Sequence, residues 1–219
     1  VFLIFIVLMS SCKKTETKNK STDCARTIHS ENSSLCLPTY QGLKECYLEL
    51  NIKKVVNNRI PESSLGIGFY LNDESYKAFK AENKNFFGNY LLLFTTEALK
   101  NRNITYEEFT DLASFNQLTK DDWNTINKIL IKEANDLSFD KPVIIGTYSL
   151  EENHSSTIIL SKYRSKNQDF YRLTISNCYF IKNKIIFSTY NDEYTDREQV
   201  KEIKKKNDYL ALRFLQDNE

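Results

Sequence analysis

The chain has 219 residues, of which 41% are hydrophobic and 27% charged, and its formal net charge is +1. Its 14 Phe and 13 Tyr supply enough large apolar side chains for a core, which excludes a wholly disordered chain. The balance of 30 basic against 29 acidic residues argues against general nucleic-acid binding, because such binding needs a basic excess. The only two histidines, His29 and His154, make a histidine-based metal site a poor prediction.

The chain opens with nine apolar residues, Val1 to Met9, which are followed by two serines and Cys12. This run is too short for a transmembrane helix, which needs about 20 apolar residues. It is typical of the apolar core of a signal peptide. The alternative interpretation is a buried strand or helix that begins the folded domain.

Met9-Ser10-Ser11-Cys12 resembles the lipobox of bacterial lipoproteins, with Met9 where Leu is usual. The resemblance implies cleavage before Cys12, which is then acylated on its sulfur and its amine, so residues 1–11 are predicted to be a signal peptide. Several acyl chains together hold a protein on a membrane. By the same resemblance, Lys13 and the basic stretch after it favour the outer membrane, on its periplasmic face rather than the cell surface.

Residues 12–35 are rich in Lys, Thr, Ser and Asn and poor in large apolar residues. A segment of this composition buries too little apolar area to offset its chain entropy. We therefore predict a lipidated N-terminus and a flexible tether over 12–35. Apolar residues return at Leu35, and residues 36–219 are predicted to form a single globular domain.

Apolar patterns predict the first elements of this domain. Alternation predicts a strand over 46–52, and Val55-Val56 either extends it or belongs to a short helix. Apolar runs predict two buried strands over 65–71 and 89–95, with a short helix from Asn72 to about Ala81 between them.

Three capping boxes then predict where helices begin. They are Thr105 with Glu108, Thr119 with Asp122, and Thr195 with Glu198. The predicted helices end near residues 115, 135 and 216. The last helix carries an apolar stripe at helical spacing, which Asn207 interrupts.

Three or four strands are predicted between the last two helices, from the segments 143–149, 157–163, 170–176 and 184–190. Consecutive strands with short polar links pair as antiparallel hairpins and meanders. The predicted fold class is therefore α+β, a mainly antiparallel sheet covered by helices with a long amphipathic C-terminal helix.

This order of elements resembles the end of PsbP-like domains, above all in the passage Cys178 to Tyr190 followed by Glu198-Gln199-Val200. The likeness covers roughly residues 60–216 and rests on element order and apolar pattern. It implies a sheet sandwiched by helices, and a scaffold or assembly role without chemistry of its own. No site residue carries over, because no site motif of that family matches.

Four cysteines remain besides Cys12, an even number that favours disulfides in an exported protein. We expect a bridge between Cys36 and Cys46, which flank a turn-forming segment, and a second one between Cys24 and Cys178. Buried free thiols are the alternative. A zinc site is disfavoured because the tight cysteine pairs that it needs are missing from the sequence.

Motifs for catalysis or cofactor binding are weak. Gly66-Ile67-Gly68 lacks the third glycine of a dinucleotide fingerprint, since position 71 is Leu71. Glu151-Glu152-Asn153-His154 has the residue types of an acid–base pair, but its place between two strands favours a polar turn. Asp192, Glu193 and Asp196 suit either a weak Ca²⁺ site or a solvated loop. We predict no catalytic residue, no metal ligand and no cofactor.

The basic stretch Lys201 to Lys206 is interpreted as the wet face of a helix, with contact to membrane phosphates as the alternative. Together these patterns favour a non-catalytic, lipid-anchored binding or scaffold protein of the bacterial cell envelope. Its expected partners are the membrane, through the lipid on Cys12, and another envelope protein, but not nucleic acid. The alternatives are an immunity-type protein that neutralises a toxin in the periplasm, and a hydrolase with an unrecognised site.

Overall fold

A computed structural model describes residues 23–30, 33–58, 60–81, 88–114, 138–139, 141–164 and 169–219. Within these ranges the chain has the predicted α+β fold, with ten strands and five helices. In chain order they are β1 (Cys24–Ser30), β2 (Ser33–Pro38), β3 (Leu43–Glu45), α1 (Leu50–Asn57), β4 (Ser64–Asn72), α2 (Asp73–Lys80), β5 (Tyr90–Thr96), α3 (Glu97–Lys100), α4 (Tyr106–Ser114), β6 (Ser138–Phe139), β7 (Val143–Tyr148), β8 (His154–Arg164), β9 (Asp169–Ile181), β10 (Lys184–Tyr194) and α5 (Arg197–Gln216). None of the helices in these ranges has the length and apolar character that crossing a membrane requires.

Eight strands form one antiparallel sheet in the order β3-β4-β5-β10-β9-β8, and both β6 and β7 pair with β8. The long strands β8, β9 and β10 form the predicted meander. At the β9–β10 turn, Lys182 and Asn183 both have positive φ, 49° and 61°. Two-residue turns of this kind match the right-handed twist of the strands that they join, so this turn fixes the register of the hairpin.

Alternation along the strands gives the sheet two buried faces. One face carries Leu173 and Ile175 of β9, and it packs against Ile203, Leu210 and Phe214 of α5. The opposite face packs at one end against α1 and α2, and at the other end against the start of α4. The predicted arrangement, a sheet covered by helices with the amphipathic C-terminal helix packed on it, is therefore confirmed.

Two predicted helix starts can be compared with the structure. The Thr105–Glu108 capping box is present, because Glu108 N donates to Thr105 Oγ1 at 3.2 Å and Thr105 N donates to Glu108 Oε2 at 2.9 Å. The last helix begins one residue later than predicted, since its N-cap is Asp196, which accepts a hydrogen bond from Gln199 N at 3.1 Å. The helix predicted from Thr119 lies outside the described residues.

The strand predicted over 46–52 is wrong, because this stretch leads into helix α1. Val56, for which a short helix was one of two predictions, belongs to this helix. Ile52 and Val56 are the buried residues of α1, and they lie four positions apart on one helix face. A short apolar run fits either element, and here the helical spacing decides.

Part of the predicted tether is also ordered structure. Residues 24–30 and 33–35 belong to the antiparallel strands β1 and β2 of one hairpin, in which Ile28 and Leu35 pack against the main core beside the fully buried Leu37. Its polar residues Thr27, His29 and Ser34 are exposed to solvent, so its composition resembles that of a linker. The predicted signal peptide over 1–11, the lipidated Cys12 and the first part of the tether lie outside the described residues.

A disulfide is present, but the predicted pairing of Cys36 with Cys46 is wrong. Cys24 is bonded to Cys36 across the hairpin, with a Cα–Cα distance of 5.4 Å. Cys46 and Cys178 are buried free thiols, so the predicted Cys24–Cys178 bridge is wrong as well. Cys46 packs near α1 and Cys178 packs near α4. Burial raises the pKa of each thiol to about 12, which keeps both protonated and unreactive.

Candidate functional site

A row of polar side chains crosses the face of the sheet that α5 covers. The strand register places Tyr148 of β7 beside Ser156 of β8, Ser156 beside Asn177 of β9, and Asn177 beside Ser188 of β10. All four side chains point towards α5, where Asn207 meets them. We call these residues, with His154 and Tyr179, the Asn177 network.

At the centre of the network the amides of Asn177 and Asn207 bind each other twice. Asn177 Nδ2 donates to Asn207 Oδ1 at 2.9 Å, and Asn207 Nδ2 donates to Asn177 Oδ1 at 3.1 Å. Asn177 also donates to Ser188 Oγ at 2.9 Å and accepts from Ser156 Oγ at 2.6 Å. Both amides are buried. Because every donor of Asn177 has a partner, burial leaves none of them unsatisfied.

The ring of His154 is held in one tautomer. Leu150 N donates to His154 Nδ1 at 3.2 Å, so the neutral ring carries its proton on Nε2. That atom lies 3.2 Å from Asn177 Oδ1 and 3.1 Å from Ser156 Oγ. Burial lowers the pKa of His154, more than the hydrogen bond to Asn177 raises it. The imidazole is therefore neutral at pH 7.

The contact between Ser156 and His154 is not arranged as a nucleophile and its base. The Ser156 hydroxyl donates to Asn177, and the facing His154 nitrogen carries a proton and has no lone pair to accept one. Ser156 and His154 are also 0% and 1% exposed, so a substrate has no access to them. The network is suited to holding α5 in one register on the sheet.

Tyr148 closes the network at the protein surface. Its hydroxyl donates to Asp208 Oδ1 at 2.7 Å and accepts from Asn207 Nδ2 at 3.1 Å. Lys204 Nζ lies 3.8 Å from the centre of the Tyr148 ring and 2.5 Å from Asp208 Oδ2. Burial is the main cause that raises the pKa of Tyr148, and the hydrogen bond to Asp208 raises it further. The phenol therefore stays protonated and donates a hydrogen bond at physiological pH.

The residues of the predicted Glu151–His154 cluster lie in two different environments. Glu151 and Glu152 are exposed in the turn between β7 and β8, as the turn interpretation predicts. His154 begins β8 and is buried, so that interpretation is wrong for this residue. The two acids and the imidazole are not brought together as an acid–base pair.

The three acids before α5 also differ in their exposure to solvent. Asp192 is buried and accepts hydrogen bonds from Tyr190 Oη at 3.1 Å and Glu193 N at 2.9 Å. Glu193 and Asp196 are exposed. Across the described ranges, no group of three or more His, Cys, Asp or Glu side chains is placed to hold a metal.

Three of the four lysines of the basic stretch on α5 pair with nearby acids. Lys201 Nζ lies 2.9 Å from Glu198, Lys204 Nζ lies 2.5 Å from Asp208, and Lys206 Nζ lies 3.8 Å from Asp192. These ion pairs make this helix face less positive than its sequence indicates.

Two features of the structure are not predicted from the sequence. Asn207 interrupts the apolar stripe of the last helix, and this irregularity was the one signal for the Asn177 network. The second feature is a pair of exposed leucines, Leu48 and Leu50, on the turn that leads into α1. The sequence carries little signal for it, because alternating apolar residues at this place also predict a strand.

No family model and no curated protein matches the chain. Among solved structures, the chain is similar to the Ran-binding protein Mog1p of Saccharomyces cerevisiae, with 9% sequence identity and a TM-score of 0.37, over 88% of this chain and 91% of that chain. At this TM-score and identity the likeness supports no functional argument. The lipobox and the resemblance to PsbP-like domains therefore stay predictions.

Proposed function

We propose that the protein is a lipid-anchored, non-catalytic binding or scaffold protein of the bacterial cell envelope, held on the outer membrane by acyl chains on Cys12. The observation that carries this proposal is the run of nine apolar residues that ends in Met9-Ser10-Ser11-Cys12. Several acyl chains on one cysteine anchor a protein stably, where a single chain binds only marginally.

Two properties of the folded domain support the proposal. The Cys24–Cys36 disulfide is of the kind that forms and persists in oxidising compartments such as the periplasm. The most suggestive Ser–His contact, between Ser156 and His154, lies in a buried network with the wrong proton arrangement for nucleophilic catalysis. A role in binding or scaffolding needs neither a reactive residue nor a cofactor.

Metabolic labelling tests the anchor. Bacteria that express the chain are grown with a clickable palmitate analogue, and membrane and soluble fractions are compared. We expect the label on the wild-type protein in the membrane fraction, and neither label nor membrane attachment for Cys12→Ala. Cys46→Ala is the matched control, because Cys46 is buried and its loss should leave the label in place. A Cys12→Ala protein that is still labelled and membrane-bound would contradict the proposal.

A further inference from the structure

Leu48 and Leu50 are the most exposed large apolar side chains of the described residues, at 62% and 81%. They flank Glu49 at the point where the chain enters helix α1. Single exposed leucines are common on protein surfaces. Two of them on one tight turn, with a charged rim, form a small apolar projection that needs an explanation.

The rim of this projection is basic. Lys53 and Lys54 lie three and four positions after Leu50 on α1, which puts them next to it on the helix surface. Lys44 and Lys80 pair with Glu49, with Nζ to carboxylate distances of 3.6 and 2.5 Å. We call Leu48 and Leu50 with these four lysines the Leu48–Leu50 patch. Glu49 is the one acid of the turn residues 46–50.

Glu49 is engaged from within the protein. Burial raises the pKa of its carboxyl, but hydrogen bonds from Lys80 and Tyr76 offset this and hold the pKa below its ordinary value. Tyr76 Oη donates to Glu49 Oε1 at 2.8 Å. The carboxylate therefore neutralises part of the charge of Lys44 and Lys80, while Lys53 and Lys54 extend the positive rim beyond it.

The turn that presents the leucines is firmly held. Tyr47, just before Leu48, is buried and donates to Asn57 Oδ1 at 2.9 Å. The Tyr47 ring centre lies 6.0 Å from Arg26 Cζ and 5.5 Å from Lys53 Nζ. The leucines are thus displayed on a rigid support, which reduces the entropy cost of placing them in an interface.

The patch also lies where the chain enters the domain. Arg26 belongs to β1, the first described element, and its Nη2 reaches Glu45 Oε1 at 3.1 Å, just before the turn. The first described strand therefore lies beside the turn that carries the two leucines. On α5, three of the four lysines between 201 and 206 pair with acids of α5 and β10.

We infer that the Leu48–Leu50 patch rests on the bilayer surface, with the two leucines in the interfacial region and the lysines against anionic lipid headgroups. This inference rests on the proposed function, because the lipid on Cys12 is what holds the domain at that surface. Apolar insertion and attraction of basic side chains to anionic lipids are the two sources of interfacial binding, and the patch combines both.

Tryptophan fluorescence in vesicles tests the inference. The full-length chain carrying Leu50→Trp is reconstituted into vesicles of brominated phosphatidylglycerol or of brominated phosphatidylcholine, and the wild-type signal from Trp123 is subtracted. Tyr209→Trp is the control, because Tyr209 is 52% exposed but lies on α5, away from the patch. We expect the brominated anionic lipid to quench the Leu50→Trp emission at least twofold more strongly than the Tyr209→Trp emission.

A charge-reversal variant, Lys53→Glu/Lys54→Glu, should abolish this difference, and circular dichroism together with the thiol count should show that all variants fold. Equal quenching of the two tryptophan variants, or equal quenching of Leu50→Trp in anionic and neutral vesicles, would overturn the inference. The palmitate label is read on the same samples. Labelled protein without selective quenching overturns only this inference, whereas selective quenching of unlabelled protein overturns only the proposed anchor.

Discussion

Asn207 is a polar residue in the middle of an otherwise apolar helix face, and the structure explains its position. It is fully buried and pairs twice with Asn177 on β9. Removing one partner of a buried hydrogen-bonded pair leaves the other unsatisfied, which costs about 1–3 kcal/mol. Its value to the fold is specificity, because only one register of α5 brings the two amides together.

We therefore expect Asn207→Leu to lower the free energy of unfolding by about 1–3 kcal/mol in urea titrations, although leucine adds apolar surface. Lys205→Leu, an exposed position of the same helix, should change it by less than about 0.5 kcal/mol. The double variant Asn177→Leu/Asn207→Leu should cost less than the sum of the two single variants. Additive costs would show that the two amides do not act as a pair.

His154 makes stability depend on pH. Its pKa is lowered in the folded state by burial, while in the unfolded chain it is about 6.5. The unfolded state therefore binds more protons, so this contribution to stability is complete above about pH 6.5 and is lost as the pH falls from there towards the folded-state pKa.

We expect the urea midpoint of the wild type to fall between about pH 7.5 and pH 5, and to fall less for His154→Gln, because the glutamine does not titrate. If the urea midpoint of His154→Gln depends on pH as strongly as that of the wild type, groups other than His154 cause the pH dependence.

At the scale of elements, the β1–β2 hairpin depends on its disulfide as well as on packing. The two bonded cysteines are separated by 12 positions in the sequence. Closing a loop of this length lowers the entropy of the unfolded chain, which stabilises the folded state by about 3 kcal/mol. Only one face of the hairpin reaches the core, through Ile28, Leu35 and Leu37.

We expect Cys24→Ser/Cys36→Ser to lower the free energy of unfolding by about 3 kcal/mol, and to expose residues 24–38 to limited proteolysis while the circular dichroism of the sheet persists. Peptide mapping without reduction should find Cys24 joined to Cys36 in the wild type. Cys178→Ala is the control, because this thiol is unpaired and lies near α4, so the hairpin should remain protected. A serine variant with an equally protected hairpin would show that packing alone holds it.

The same elements show what sequence reasoning can and cannot reach. The meander β8–β10 is predictable because its strands alternate over many residues and its turn has a clear polar signal at Lys182-Asn183. The β1–β2 hairpin is not predictable from composition, because its many solvent-exposed polar residues give it the composition of a linker. The Asn177 network was missed because it depends on strand register, and a one-residue shift would move Ser156 to the other face of the sheet.

On the scale of the whole molecule, strand β2 is joined directly to the residues that follow α5. Asn218, just after α5, accepts a hydrogen bond from Cys36 N at 2.7 Å and donates to Cys36 O at 2.9 Å. It also donates to Phe214 O at 2.8 Å, which caps the last turn of the helix. The two contacts with Cys36 span 182 positions of sequence, a separation at which no local pattern signals a contact.

Asn218→Ala should therefore weaken two distant regions at once. The change leaves the buried N–H and C=O groups of Cys36 without their partner, and each such group costs about 1–3 kcal/mol. We expect faster amide hydrogen exchange both in β2 and in the last turn of α5, although one lies near the start of the chain and the other at its end. Gln216→Ala is the control, because Gln216 is exposed in the same turn. It should change the free energy of opening of neither region by more than about 0.5 kcal/mol. If exchange rises only in the helix, Asn218 is a local cap, and the hairpin is held by its disulfide and by Leu37 without help from the C-terminus.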